Sequence, residues 1–235
     1  MEIKLFTIPN LFTCGNLLCG CVGIVAVFHS DLLLASIMIG LAGVFDFLDG
    51  FLARFLKSSS AIGKELDSLA DVVTFGVLPS CIVYSLIQEA VPDIYSLWKA
   101  YLAFIIAVFS ALRLAKFNID TRQAESFIGV PTPANAFLIG SIPLILYQYP
   151  ETKTWIVDAN YLIIFSLVCS FLLVAEIPLF ALKFKSFGWK GNEIKFIFLI
   201  LSAILLVLLK FAAVPIIIFL YIGLSVVQNL LKKSA

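Results

Sequence analysis

Charge is what this sequence has least of. Only 13% of its 235 residues are Asp, Glu, Lys or Arg, while 62% are hydrophobic; a soluble domain runs nearer a quarter charged and half apolar. With a mean hydropathy of +1.08, the chain reads as an integral membrane protein. Its 16 Lys and Arg against 15 Asp and Glu leave a net charge of +1, so no basic excess exists to hold a phosphate backbone, and nucleic acid is excluded as a partner. Histidine occurs once, as His29. The five cysteines, Cys14, Cys19, Cys21, Cys81 and Cys169, lack the paired C-x-x-C spacing of a zinc or redox site and sit in apolar runs, where they are expected as small buried hydrophobes. No repeat of 20–50 residues and no low-complexity tract is present, so neither a solenoid nor an inverted-repeat transporter announces itself. The first apolar stretch, Leu11 to Phe28, is flanked by Asn10 and entered by Asn16, and no small-residue cleavage pattern precedes the next span, so it is read as a retained helix rather than a leader.

What the sequence has in abundance is long apolar runs. A spanning helix needs about 20 residues, and polar punctuation divides the chain into eight candidates at about 11–28, 32–56, 62–88, 97–117, 133–149, 158–182, 193–209 and 212–231. Runs this long without period-two alternation exclude a barrel. The expected architecture is therefore all-α, a single membrane domain over residues 1–235 holding a bundle of about eight transmembrane helices. Lys99, Lys153 and Lys210 fall on one side of such a bundle and the remaining basic residues on the other. By the positive-inside bias, both termini face the cytoplasm.

Against this background, Asp46, Asp49, Asp67, Asp71 and Glu176 fall in or beside apolar helices, where an ionised group costs about 2.5–3.5 kcal/mol and is by default functional. Asp46, Asp49, Gly50 and Ala53 stand at i, i+3, i+4 and i+7, one helical face carrying two carboxylates and two positions almost without side chain. Gly63, Asp67 and Asp71 share a face of the next helix, which follows a turn short enough to make the two helices antiparallel neighbours. The acidic faces therefore converge near the cytoplasmic interface. Four such carboxylates repel one another unless cations sit between them, and oxygen-only ligands favour hard divalent ions over zinc or copper. Four ligands suit two ions, the arrangement used in phosphoryl chemistry. Gly50 and Ala53 leave room for a ligand, and Arg54, Ser60 and the start of the third helix offer donors to phosphate oxygens. The competing account pairs Asp46 and Asp49 with Arg54 or Lys57 and treats the glycines as packing residues.

The string Asp46-x-x-Asp49-Gly50-x-x-Ala53-Arg54-x8-Gly63-x3-Asp67-x3-Asp71 resembles the complete signature of the CDP-alcohol phosphatidyltransferase family. The resemblance implies a core of six transmembrane helices, here 8–182, with 183–235 as two additional C-terminal helices, and usually a homodimer. It implies two divalent cations, Mg²⁺ or Mn²⁺, held by Asp46, Asp49, Asp67 and Asp71, with Asp71 also the general base. It implies CDP-diacylglycerol as donor and CMP as leaving group, with Asn10, Gly50, Ala53, Arg54, Ser60 and Gly63 around the nucleotide. The continuation Asp67 to Pro79, the run Ala111 to Asn118, the segment Gly129 to Ala134 and the opening Ile8 to Leu17 are similar to the branch of that family whose acceptor is L-serine.

A serine acceptor presents a carboxylate, which asks for a fixed cation. Arg113 and Lys116, at the cytoplasmic end of the fourth helix, are the candidates, with Arg113 the better fork; Asn118 is expected either to add a hydrogen bond or to cap the helix. His29 is placed at the opposite face. Lys183, Lys185 and Lys190, interleaved with Phe184, Phe187 and Trp189, read as a belt against anionic headgroups, and Glu176 is expected to pair with a base or cap a broken helix. The rival readings are the same chemistry on glycerol-3-phosphate, inositol phosphate or another alcohol, and a divalent-cation or lipid transporter, which predicts carboxylates spread across membrane depth.

Overall fold

The computed structural model describes residues 5–58, 60–120, 126–180, 188 and 192–233. Side chains that compete for backbone donors start its helices. Thr7 caps α1 (Ile8–Phe28), which has Pro9 in its first turn; Asp31 accepts from the Leu34 amide at 2.9 Å to start α2 (Leu32–Phe55); and Ser60 accepts from the Gly63 amide at 3.1 Å to start α3 (Ala61–Asp71). A widened π turn, Val72–Val77, carries α3 into α4 (Leu78–Ala90). A 3₁₀ stretch, Ile94–Phe104, leads into α5 (Ile105–Ile119). The chain continues through strand β1 (Ser126–Ile128), α6 (Thr132–Gln148), the single turn α7 (Lys153–Ile156), α8 (Ala159–Val174), strand β2 (Pro178–Phe180), α9 (Glu193–Leu209) and α10 (Ala213–Lys233).

Among the described residues, five helical runs are long and apolar enough to cross a membrane: Ile8–Phe28, Leu32–Phe55, Ala61–Ala90, Ile94–Ile119 and Glu193–Leu230; the pair Pro150–Ile156 and Ala159–Val174, bent by 78°, is a sixth when taken as one span. The last run is two helices, because Lys210 takes φ +50° and turns α9 back into α10, which packs against it. Eight expected helices are thus present as helical rods, with α6, α8 and α9 the shortest at 17, 16 and 17 residues.

Three expectations need correction. The run expected as one helix over 62–88 contains the π turn, immediately after Asp71. The first half of the run over 97–117 is 3₁₀. The run over 158–182 ends at Val174, since Pro178 has no amide to donate to a helical ladder; β2 pairs antiparallel with β1, Phe127 opposite Leu179, so the all-α bundle carries one short ribbon.

The core is built where α1, α2, α4, α5 and α6 meet, around fully buried Ile39, Phe75, Leu78, Ile82, Leu86, Ile106 and Ile139. The outer surface is equally apolar. Phe47, Phe51 and Phe55 stack along the exposed side of α2, with ring centroids 6.4 and 5.9 Å apart, as expected where lipid rather than water is the solvent. Cys19, Cys81 and Cys169 are buried, but Cys14 and Cys21 face outward from α1, contrary to the buried reading; all five are free thiols. The basic and aromatic belt of Lys183, Phe184, Lys185, Phe187, Trp189 and Lys190 lies outside the described residues.

Candidate active site

Three helices bring the acidic residues together. The turn after α2 reverses the chain at Lys57, φ +48°, so that the acidic face of α3 meets that of α2. Carboxylate oxygens of Asp46, Asp49 and Asp67 then lie within 4.8 Å of one another. The third wall is α1. A Cβ on Gly20 would stand 2.4 Å from Thr74 Oγ1, so only glycine lets α1 approach the π turn this closely. The approach puts two α1 side chains on the aspartates: Thr13 Oγ1 donates to Asp49 Oδ2 at 2.7 Å, and Asn16 Nδ2 donates to Asp71 Oδ1 at 3.0 Å. Asp71 is buried and stands one turn beyond Asp67, outside the trio.

The donor set fits a hard divalent cation. It is made of carboxylate oxygens with no imidazole or thiolate among them, and Asp67 Oδ1 is buried without a hydrogen-bond partner. The alternative of internal ion pairs is not what the fold builds. Ion pairs join Lys116 to Glu176 and Lys153 to Glu89, whereas among the described residues Asp46, Asp49, Asp67 and Asp71 are not ion-paired with Arg54 or Lys57.

Beside the trio lies a cavity of about 260 Å³ whose lining includes Asn10, Gly50, Ala53, Arg54, Ser60 and Gly63, every residue expected around the nucleotide, together with Asp49 and Asp67. Gly50 opens onto it: the nearest atom to a Cβ built there is Arg54 Nη1, 3.9 Å away. Ser58 and Lys64 also line the cavity and were not anticipated.

The end of α5 is tied to the start of α3. Lys64 Nζ donates to the Asn118 carbonyl and Asn118 Nδ2 to Ser68 Oγ, both at 2.8 Å, so Asn118 is a cross-helix bridge. This places Arg113 at the aspartate end of the bundle. Its side chain is 6% exposed, its Nε donates to the Val130 carbonyl at 3.2 Å, and its guanidinium lies 5.0 Å from the centre of the Phe117 ring. An anchor at the lipid headgroups stays exposed; Arg113 is instead a buried cation within electrostatic reach of Asp71. Lys116 is half-exposed and bonded to Glu176, which answers the expectation that Glu176 pairs with a base. His29 is exposed at the α1–α2 turn, the opposite end of α1 from Asn10.

Sequence reasoning missed a set of buried polar atoms that have no partner among the described residues: Asn16 Oδ1, Ser110 Oγ, Thr132 Oγ1 and Asn135 Nδ2. Each is a hydrogen-bonding group withdrawn from water, and such groups cost about 1–3 kcal/mol when left unpaired. They come from α1, α5 and α6, and their signal in the sequence is single polar residues within apolar helices.

Comparison with known proteins agrees with this geometry. The sequence profile of the CDP-alcohol phosphatidyltransferase family matches residues 6–172. A protein of Bacillus subtilis named CDP-diacylglycerol--serine O-phosphatidyltransferase is 40% identical over 126 residues, 54% of this chain and 69% of that protein. Proteins of the same name from Helicobacter pylori and Mycobacterium leprae are 37% identical over 139 residues and 32% over 187; these matches take in 57% and 75% of this chain, and 56% and 59% of the relatives. The chain thus spans somewhat over half the length of two of these three relatives. With a partly buried carboxylate cluster, a cavity beside it and a family profile covering most of the sequence, the chain belongs to the CDP-alcohol phosphatidyltransferase family.

Proposed function

We propose that the chain transfers the phosphatidyl group of CDP-diacylglycerol to the hydroxyl of L-serine, giving phosphatidylserine and CMP. The carrying observation is the carboxylate trio of Asp46, Asp49 and Asp67 beside a polar cavity inside an otherwise apolar bundle. Serine as acceptor is supported by the names of the relatives.

The cytidine diphosphate enters the cavity between α1, α2 and α3, where the open face at Gly50 and Ala53 admits it. Arg54, Ser60 and Lys64 supply donors to phosphate, and the amides at the N-terminus of α3 add their dipole. Asp46, Asp49, Asp67 and Asp71 would hold two divalent cations, Mg²⁺ or Mn²⁺, which when bound neutralise pyrophosphate charge and stabilise the departing CMP. Thr13 fixes the carboxylate of Asp49 through its hydroxyl. Asn16 occupies Asp71 Oδ1 and leaves Oδ2 to take the proton of the serine hydroxyl as its oxygen bonds to the lipid-bearing phosphorus and the bond to the CMP oxygen breaks. Direct attack is favoured over a covalent enzyme intermediate, because no His, Cys or activated Ser belongs to the cluster.

Arg113 faces the serine carboxylate, and Lys116, one turn further along α5, is paired with Glu176. A phosphate-bearing acceptor asks for two or more free cations; here one of the two is already engaged by Glu176, which favours the amino acid over glycerol-3-phosphate or inositol phosphate. Because Arg54, Lys57, Lys64, Arg113 and Lys116 gather at the aspartate end, that end and both termini face the cytoplasm. A homodimer is the assembly the family resemblance implies. Incorporation of labelled L-serine into extractable lipid by the purified protein with CDP-diacylglycerol and Mn²⁺ tests the reading. Label in phosphatidylserine, lost in Asp67→Asn, supports it; an unlabelled lipid fraction overturns it.

A further inference from the structure

The two C-terminal helices lie beyond residue 172, outside the family profile, and the reaction outlined above leaves them without a task. Yet α10 does not merely sit against the bundle. Tyr221, Ser225 and Asn229 stand at i, i+4 and i+8 on one face of it, and all three bond the backbone of β2. Tyr221 Oη donates to the Phe180 carbonyl at 2.8 Å, the Phe180 amide donates to Ser225 Oγ at 3.4 Å, and Asn229 Nδ2 donates to the Pro178 carbonyl at 2.6 Å. In a strand the backbone groups of alternate residues point to opposite edges. Leu179 faces β1, and Pro178 and Phe180 face α10. Three polar side chains of one helix therefore take the place of a missing third strand, and Pro178 stands on that edge, where its lack of an amide leaves no donor unmet. The contact is closed by an aromatic trio: the Phe180 ring meets Tyr221 at 4.9 Å and 79° and Phe198 of α9 at 5.8 Å and 76°.

The other edge of the ribbon leads to the site. Past β1, the Gly129 amide donates to the Ile177 carbonyl at 3.0 Å and the Val130 amide to the Leu172 carbonyl at 2.9 Å. Gly129 holds φ +78°, and a Cβ there would lie 2.4 Å from the Leu173 carbonyl oxygen. Val130 is thereby fixed, and its own carbonyl is the acceptor for Arg113 Nε. An unbroken path of hydrogen bonds and backbone runs from α10 through β2, β1 and Val130 to the guanidinium.

We infer that α10 sets the orientation of Arg113 through the β1–β2 ribbon, with Tyr221 as the positioning residue, so that the C-terminal helix pair tunes the acceptor side of the site and leaves the nucleotide side alone. This rests on Arg113 meeting the serine carboxylate. Tyr221 acts by holding β2, and the bidentate geometry of a carboxylate fork makes the angle of the guanidinium matter.

The test is steady-state CMP release by the full-length protein, with serine and CDP-diacylglycerol varied in turn, for Tyr221→Phe, Arg113→Lys and the double variant. Tyr221→Phe removes one oxygen and keeps the ring packed. Loss of one neutral hydrogen bond is worth about 1 kcal/mol, or roughly fivefold. The expected result is a roughly fivefold rise in KM for serine at unchanged KM for CDP-diacylglycerol, with no further rise when Tyr221→Phe is added to Arg113→Lys. Equal effects on both KM values, or additive effects in the double variant, overturn the inference, as does an unchanged serine KM. Failure of the underlying reading looks different: Arg113→Lys itself then leaves the serine KM untouched. Asn229→Ala, which cuts the same ribbon 8 positions along α10, guards against a local effect of Tyr221 and is expected to reproduce the serine-specific shift.

Discussion

Replacing Arg113 separates a substrate ligand from a membrane anchor. Arg113→Lys keeps the positive charge and most of the stem but loses the planar fork, the bond from Nε to the Val130 carbonyl at 3.2 Å and the stacking 5.0 Å above Phe117. A hydrogen bond to a charged group contributes about 1.5–3 kcal/mol, so loss of one arm of a fork on the serine carboxylate lowers kcat/KM for serine by roughly 10- to 150-fold. The cavity beside the carboxylates, proposed above as the CDP-diacylglycerol site, is lined by residues of α1, α2, α3 and the turn joining α2 to α3, and Arg113 is absent from that lining. KM for the lipid nucleotide should therefore change by less than about twofold. CMP release measured against each substrate in turn, at saturating concentration of the other, reads both quantities. An interfacial anchor makes a different prediction: lysine replaces arginine there without loss. A serine kcat/KM within twofold of the parent refutes the assignment, and so does a matched loss for both substrates.

Other perturbations have equally definite outcomes. Asp71→Asn keeps the bond from Asn16 but removes the proton acceptor proposed above, so turnover should vanish while CDP-diacylglycerol still raises Tm; turnover near the parent level removes Asp71 from the mechanism. Gly50→Leu fills the open face of the cavity and should raise KM for CDP-diacylglycerol at least tenfold with little change for serine. Gly129→Ala forces a Cβ toward the Leu173 carbonyl at a backbone angle that L residues avoid, costing about 2 kcal/mol or more; thermal denaturation in detergent should show a clear drop in Tm, and an unchanged Tm contradicts the tight ribbon geometry.

The helices were legible because lipid imposes a simple rule: about 20 apolar residues, every backbone group satisfied internally. The acidic site was legible for the converse reason, since Asp46, Asp49, Asp67 and Asp71 stand out against such a background and their spacing alone assigns them to two faces. Spacing along one helix says nothing of what a third helix contributes. Thr13 and Asn16, each bonded to an aspartate, are small polar residues within an apolar run, and only the approach of α1 allowed by Gly20 reveals what they do. The β1–β2 ribbon was hidden because three-residue strands carry no usable periodicity, and because the residues from Ile177 to Phe180 continue the hydrophobicity of α8 after its backbone has ended. The π turn at Val72–Val77 leaves no trace in composition at all.

The central claim, a cation-dependent phosphatidyl transfer to serine at the α1–α2–α3 site, is tested most directly by CMP release from purified protein. The protein is given CDP-diacylglycerol and Mn²⁺ or Mg²⁺, with L-serine, glycerol-3-phosphate and inositol phosphate compared and a chelator control run beside them. Release that depends on serine and stops with the chelator is the predicted result. Release with another alcohol contradicts the acceptor assignment, and release that persists in excess chelator contradicts the role given to Asp46, Asp49, Asp67 and Asp71.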